Sequence, residues 1–356
     1  MLTPAAETEE AGAASEPQRP RRFFSSERFG GFGGAKTGPR SLLEIAGPFG
    51  VPLILIALMG IFAGLSSSFL TGNNLLNILI NSSLPMIIAG GLTICLVMGE
   101  YDLSIGAASS FATMVFAVLT VNQGVSTAAS FAIVIVFVIL IGLVNGLFVS
   151  YIGLSALVVT IAIASMLNGL EYIVSNNQQI FSGFPEGFVS FSRSSSWHVP
   201  NVIIVTIVVT AALWVMLERT ALGRNMRAVG GNATAARFAG VHVRRTRAIG
   251  FVICSSAAGL AGILYAGRQA TAYPLTGLTG VLLPSFAAAF MGAATIKFGQ
   301  FNVLGTVVGV LIAEVTANGL ILLNVPAYAT YLFQGVILLA ALLFARMVAH
   351  RRGASS

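Results

Sequence analysis

The chain is a series of apolar runs close to 20 residues long, separated by short polar stretches. About 20 apolar residues in a helix cross the ~30 Å hydrocarbon core of a bilayer. No water reaches backbone N–H and C=O groups there. A spanning segment must therefore close its own hydrogen bonds as a helix or join a closed barrel. Barrel strands alternate apolar and polar residues over about ten positions, and the long unbroken runs here do not. The charge content agrees, because only 9% of residues are charged, against about 25% in soluble domains. The expected fold is all-α, a polytopic bundle of membrane helices.

Ten spans are expected, at 49–67, 80–99, 104–122, 128–150, 156–176, 200–218, 248–267, 279–297, 302–323 and 328–346. The segment 73–82 is apolar enough to dip into the membrane and break the second span. Residues 1–45 are rich in Ala, Glu, Pro, Ser, Gly and Arg and read as a disordered cytoplasmic tail. They lack the apolar core and cleavage site of a secretory signal. The spans make up a permease domain over 46–347, followed by a short cytoplasmic tail at 348–356. With both termini inside, all of the nineteen Lys and Arg residues except Arg193 and Arg268 fall on the inner side. Basic loops stay on the cytoplasmic side, so this bias sets the orientation. The net charge of +7 belongs to that bias, and no nucleic-acid partner is expected.

Small residues punctuate the helices at Ala89–Gly91, Ala107–Ser110, Ala257–Gly262 and Ala287–Ala289. In lipid, small residues let helix backbones approach and gain dispersion contacts. The tripeptide Asn-Gly-Leu recurs at 145–147, 168–170 and 318–320, a faint sign of duplicated halves. One polar stretch interrupts the apolar pattern, Met226 to Arg247, reading MRAVGGNATAARFAGVHVRRTR. It lies in a basic loop at 219–247, on the cytoplasmic side, where a soluble motor subunit could dock.

No catalytic constellation is present: no phosphate-binding loop, no H-E-x-x-H, no G-x-S-x-G and no cluster with metal-ligand spacing. The chain therefore reads as a non-enzyme, and ATP-driven transport would need a second polypeptide to bind ATP and magnesium. No cofactor is expected in this chain. Cys95 and Cys254 lie in apolar runs about 160 residues apart and suggest neither a metal site nor a disulfide. Ionisable groups near the membrane are costly and few. Asp102, before Leu-Ser-Ile-Gly, reads as an N-cap whose carboxylate accepts from the first turn, with substrate contact as the other reading. Glu100 has no structural explanation from its neighbours. Glu171 is placed near outside water. Glu314, in mid-span beside Thr316 and Asn318, either lines a pathway or ties two helices together. Glu100, Asp102, Ser104, Asn168, Glu314 and Asn318 are the candidates for a translocation pathway.

Five segments in this order resemble a family: MGEYDLSIGA, LVNGLFVSYIGLSALVVTIAIASMLNGLEYIVSN, TALGRNMRAVGGNATAARFAGVHVRR, AAGLAGILYAGRQATAYP and NVLGTVVGVLIAEVTANGLILLNVPAYATYLFQGVILLAALLFAR. The chain resembles, from about 45 to 346, the ABC importer permeases of the ribose, xylose and arabinose type, within the wider group of branched-chain amino acid permeases. The resemblance implies a bacterial inner-membrane protein that pairs with itself or a sister permease. It also implies a cytoplasmic ABC ATPase and an extracytoplasmic sugar-binding protein as partners. It places a coupling helix around Gly230, Gly231, Asn232, Ala235, Ala236 and Gly240. Asn232 suits an N-cap at Ala233, Ala235 and Ala236 a flat face, and Gly240 a left-handed stop. One departure is the stretch GVLLPSFAAAFMGAATIKFGQF, where many relatives carry a Gly-Tyr-Glu-Leu-like segment; Pro284 here starts or kinks a span. The function implied is import of a pentose-like sugar or polyol. The alternative is a secondary transporter driven by an ion gradient, using Glu100, Glu171 or Glu314 as its coupling acid.

Overall fold

The computed structural model describes residues 42–275, 280–293 and 299–326, with scattered positions between 328 and 339 and backbone alone over 42–50. Twelve helices and one small hairpin fill these segments. They are α1 (Leu42–Leu65), α2 (Gly72–Val97), α3 (Ile105–Ala117), α4 (Thr127–Gly146), α5 (Ala156–Ser175), α6 (Glu186–Arg193), β1 (Ser195–Ser196) and β2 (Val199–Pro200). After them come α7 (Asn201–Arg219), α8 (Ala221–Gly231), α9 (Ala233–Phe238), α10 (Val243–Gln269), α11 (Leu282–Ala293) and α12 (Val303–Leu322). α3 and α4 each run on into a π-helical turn, Val118–Asn122 and Leu147–Ile152. Seven of these helices are long and apolar enough to cross a bilayer, and α1 and α11 are shorter apolar helices. The described residues thus form a polytopic helical membrane bundle. Of the span expected at 328–346 only scattered residues are described; residues 1–41 of the tail expected at 1–45 and the tail at 348–356 lie outside, while 42–45 are already helical as the start of α1.

Helix boundaries depart from the apolar runs in an instructive way. α2 is continuous from Gly72, with Pro85 inside it, so the second span is not broken at 73–82. α10 starts at Val243, five residues before the expected apolar run, and carries Arg244, Arg245 and Arg247 on its first two turns. Hydropathy marks the slab of lipid, whereas the backbone ladder continues past it. Pro284 occupies the first turn of α11, where a missing N–H costs nothing, so it starts that helix.

Burial separates the helices into layers. α2 and the α3 segment are about four-fifths buried inside the bundle, and α10 is next. α10 packs on α2, α3 and α4, and α12 packs on α1, α2 and α11. These contacts are close because the touching residues are small. Gly146 of α4 sits so near Ala248 of α10 that a methyl group there would lie 2.8 Å from the Ala248 Cα. α4, α5 and α7 keep only about a third of their apolar stretch inside. Their outward faces carry Val136, Phe137, Leu140, Leu157, Val158, Ile207 and Val208. An apolar surface this broad is tenable only in lipid.

Polar groups within the bundle hold the layers in register. Asn74 of α2 and Asn318 of α12 exchange two amide hydrogen bonds of 2.9 Å each. Nearer the other end of the same pair, the Thr93 and Thr306 hydroxyls are 2.7 Å apart. Arg193 donates to the Arg268 and Gln269 carbonyls and closes the C-terminal end of α10. Beside it, α6 and the β1–β2 hairpin form a cap, with Trp197 89% exposed at the hairpin tip.

Candidate functional site

The end of the bundle opposite that hairpin carries the basic stretch and the connector from Met98 to Ser104. Local sequence explains the shape of the basic stretch. Thr220 caps α8 by accepting from the Gly223 N–H at 3.2 Å. Asn232 turns the chain and caps α9, its Oδ1 accepting from the Ala235 N–H at 2.9 Å. Gly240 then takes φ of +84°, a left-handed conformation that side chains rarely adopt, and frees the chain to enter α10. The stretch is therefore a pair of short helices rather than a loop. Arg227 of α8 forms an ion pair with Glu218 at the end of α7, and Arg219 lies 5.7 Å from the Trp214 ring centre.

α8 is wedged into the bundle. Met226 and Val229 are buried with Leu213, Leu217, Ile94 and Met98. Gly230 lies directly against the Val97 carbonyl, and a methyl group on it would collide with that backbone. Gly231 next to it is exposed and touches nothing nearby. α9 projects further out. Ala235 is exposed, but Ala236 is buried among Val229, Met226 and Val243, so the two alanines do not share one outward face. The most exposed large apolar side chain of α9 is Phe238, 87% exposed. The sequence reading passed over Phe238; an aromatic among Arg237, Ala239 and Gly240 in an otherwise polar stretch was its only signal.

The connector Met98–Ser104 joins α2 to α3 and is gripped by four other helices. Asp102 is fully buried and is not the helix cap. Ser104 holds the capping position, and Asp102 Oδ1 accepts from the Ser104 N–H at 2.9 Å and its hydroxyl at 2.6 Å. The same hydroxyl accepts from Asn145 Nδ2 of α4 at 2.9 Å. Thr160 of α5 accepts from the Leu103 N–H at 3.0 Å. Tyr101 stacks on Phe286 of α11. Glu100 lies 2.9 Å from Arg247 Nε on α10, as an ion pair whose N–H is not aligned for a hydrogen bond. Burial pushes the Glu100 carboxyl above its ordinary range, and Arg247 opposes that shift. Burial also raises the Asp102 carboxyl, against the hydrogen bonds from Ser104. Cys95 of α2 and Cys254 of α10 meet beside Asp102, with the two sulfurs and a carboxylate oxygen within 4.8 Å of one another. Both cysteines are free and buried, as small side chains in apolar runs should be, but the 158 positions between them concealed that they meet.

The pathway candidates do not converge on one place. Glu100, Asp102 and Ser104 share the connector, where each is engaged with protein groups. Asn318 is paired with Asn74 near the far end. Asn168 lies on α5, its Oδ1 buried without a hydrogen-bond partner. Glu314 is half-buried on α12, attracted electrostatically by Arg268 of α10, which also donates to the Ile80 carbonyl and to Asn81 Oδ1. Glu171 is fully buried and accepts from Ser110 of α3 at 2.7 Å, which corrects its placement in outside water.

Comparison with known proteins agrees with this architecture. Residues 74–342 match the family described as branched-chain amino acid transport system / permease component. The ribose import permease protein RbsC of Escherichia coli K12 is 33% identical, covering 82% of this chain and 91% of that protein. The D-allose transport system permease protein AlsC of the same strain is 32% identical over 84% and 92% of the two chains. The L-arabinose ABC transporter permease protein AraH of Azospirillum brasilense is 31% identical over 87% and 90%. No solved structure matches the chain. A bundle of apolar helices, built around small-residue crossings and matched over most of its length, is a multi-pass membrane permease, and the chain belongs to the branched-chain amino acid transport system permease family.

Proposed function

We propose that the chain is the membrane-spanning subunit of an ATP-driven importer in a bacterial inner membrane, carrying a monosaccharide or a related polyol. Three relatives alike over most of their length are permeases for ribose, allose and arabinose, which supports the sugar class. The observation that carries the mechanism is the α8–α9 pair: a helical projection with exposed Phe238 and Ala235, flanked by arginines, whose root at Gly230 and Met226 is locked to α2 and α10. A subunit that grips α9 can push on the two helices at the centre of the bundle without unfolding anything between.

In this reading α8 and α9 face the cytoplasm and dock a separate ATPase, which binds ATP and magnesium. A binding protein delivers sugar at the hairpin end, and a second permease copy or a sister chain completes the pathway. A docked ATPase drives the change of access only through contacts that differ between its two nucleotide states. The alternative, an ion-gradient carrier, would use Glu100, Glu171 or Glu314; Glu100 is ion-paired with Arg247, Glu171 accepts from Ser110, and Glu314 has only the attraction of Arg268.

The experiment is uptake into proteoliposomes containing this chain, an ATPase subunit encoded beside it and a neighbouring secreted binding protein. Uptake should require ATP inside and binding protein outside. Phe238→Ser should abolish uptake while the protein keeps its thermal stability. Uptake driven by an ion gradient without ATP, or normal uptake by Phe238→Ser, contradicts the proposal.

A further inference from the structure

We propose that Cys95, Cys254 and Asp102 form a binding site for a borderline-soft divalent cation of the zinc and cadmium class, joining α2, the Met98–Ser104 connector and α10. Three kinds of observation converge. The two sulfurs and one carboxylate oxygen come from three separate elements yet lie within 4.8 Å of one another. All three side chains are buried, at 0 to 1% exposure. Asp102 Oδ1 is saturated by Ser104, but its buried Oδ2 has no nitrogen or oxygen partner and faces only the Cys254 thiol, a weak donor. A buried carboxylate oxygen left over in this way costs free energy unless something satisfies it.

The donor set selects the ion. In a tetrahedral zinc site, Zn–S distances of about 2.3 Å and Zn–O distances of about 2.0 Å put neighbouring donors roughly 3.5–3.8 Å apart. No pair in the observed group exceeds those spacings by more than about 1.3 Å, a gap that side-chain torsions can close. Thiolates disfavour calcium and magnesium, and the carboxylate disfavours copper(I), which prefers sulfur alone. Each thiol releases its proton as it binds, so the two thiolates offset the divalent ion and the buried site keeps the single negative charge that the Asp102 carboxylate already carries. The carboxylate then supplies the third bond. Close α2–α10 packing makes the site rigid, since a methyl group on Gly91, one turn before Cys95, would lie 3.5 Å from the Cys254 Cα. Occupancy would staple α10, and with it the root of α8 and α9, to α2.

The test uses the full-length protein in detergent, reduced, then exchanged into metal-free and oxygen-free buffer. Cadmium is titrated while the ultraviolet thiolate-to-metal charge-transfer band is followed, and zinc is then used to displace it. One cadmium per chain should bind with that band, and zinc should remove it. Cys95→Ser and Cys254→Ser should each weaken binding at least about tenfold, the double variant should lose the band, and Asp102→Asn should weaken binding at least about tenfold. Gel filtration and thermal melting check that each variant is folded. The wild-type band needs no variant, so a folding failure leaves the test intact. No band at stoichiometric cadmium, thiols already joined as a disulfide, or full affinity in Asp102→Asn would each overturn the assignment.

Discussion

Glu100 illustrates what a single residue needs before its role can be read. Nothing within its own heptapeptide explains an acid at that point, because its partner Arg247 is 147 positions away. The pair is partly buried and anchors the connector to the first turns of α10. A partly exposed ion pair contributes on the order of 1 kcal/mol or less. A double-mutant cycle with Glu100→Gln and Arg247→Gln should return a coupling energy of about 0.5–1 kcal/mol in thermal or chemical unfolding; zero coupling contradicts the pairing. Asn74 and Asn318 make a sharper case, since each amide satisfies the other. Asn74→Leu leaves the half-buried Asn318 amide without its partner, and Asn318→Leu leaves the buried Asn74 amide with only its bond to the Phe69 carbonyl; each should destabilise by about 1–2 kcal/mol. The double leucine variant should cost less than the sum of the singles. Residue roles that depend on neighbours three positions away were legible in the sequence: Asn232 caps α9 as its spacing implied, and Gly240 has the left-handed backbone its position required. Roles that depend on tertiary partners were not, as Glu171 and the two cysteines show.

At the scale of elements, apolar runs located nine of the ten expected spans as helices among the described residues, while their ends were displaced wherever a helix outruns the lipid. α10 was the clearest instance, its arginines being helical and not loop. The α8 root was invisible for a different reason. Gly230 and Gly231 look alike in sequence, but only Gly230 faces the Val97 carbonyl. Gly230→Ala should therefore destabilise the protein by about 1–3 kcal/mol through overpacking. Gly231→Ala should be neutral or stabilising by about 0.5–1 kcal/mol, because alanine loses less backbone freedom in a helix. Melting temperatures of the two variants decide it; equal effects would contradict the wedge of α8 against α2.

For the whole molecule, small-residue clusters named the interior correctly. Ala89–Gly91, Ala107–Ser110 and Ala287–Ala289 are buried, and of 257–262 only Leu260 is less than fully so. The reason is physical: without a hydrophobic force between helices in lipid, close backbone approach is what holds a bundle together. Charge assigned the two ends, since Arg193 and Arg268 cluster at the hairpin end and the arginines from Arg219 to Arg247 at the other. The central claim is that α8 and α9 hang into the cytoplasm as the grip for a motor subunit. The most direct measurement introduces a cysteine at exposed Ala235 in a background with Cys95 and Cys254 replaced by alanine. A membrane-impermeant maleimide is then applied to intact cells and to inside-out vesicles. The account expects labelling only in the vesicles, reduced when the ATPase subunit is bound. Labelling from outside intact cells would contradict it.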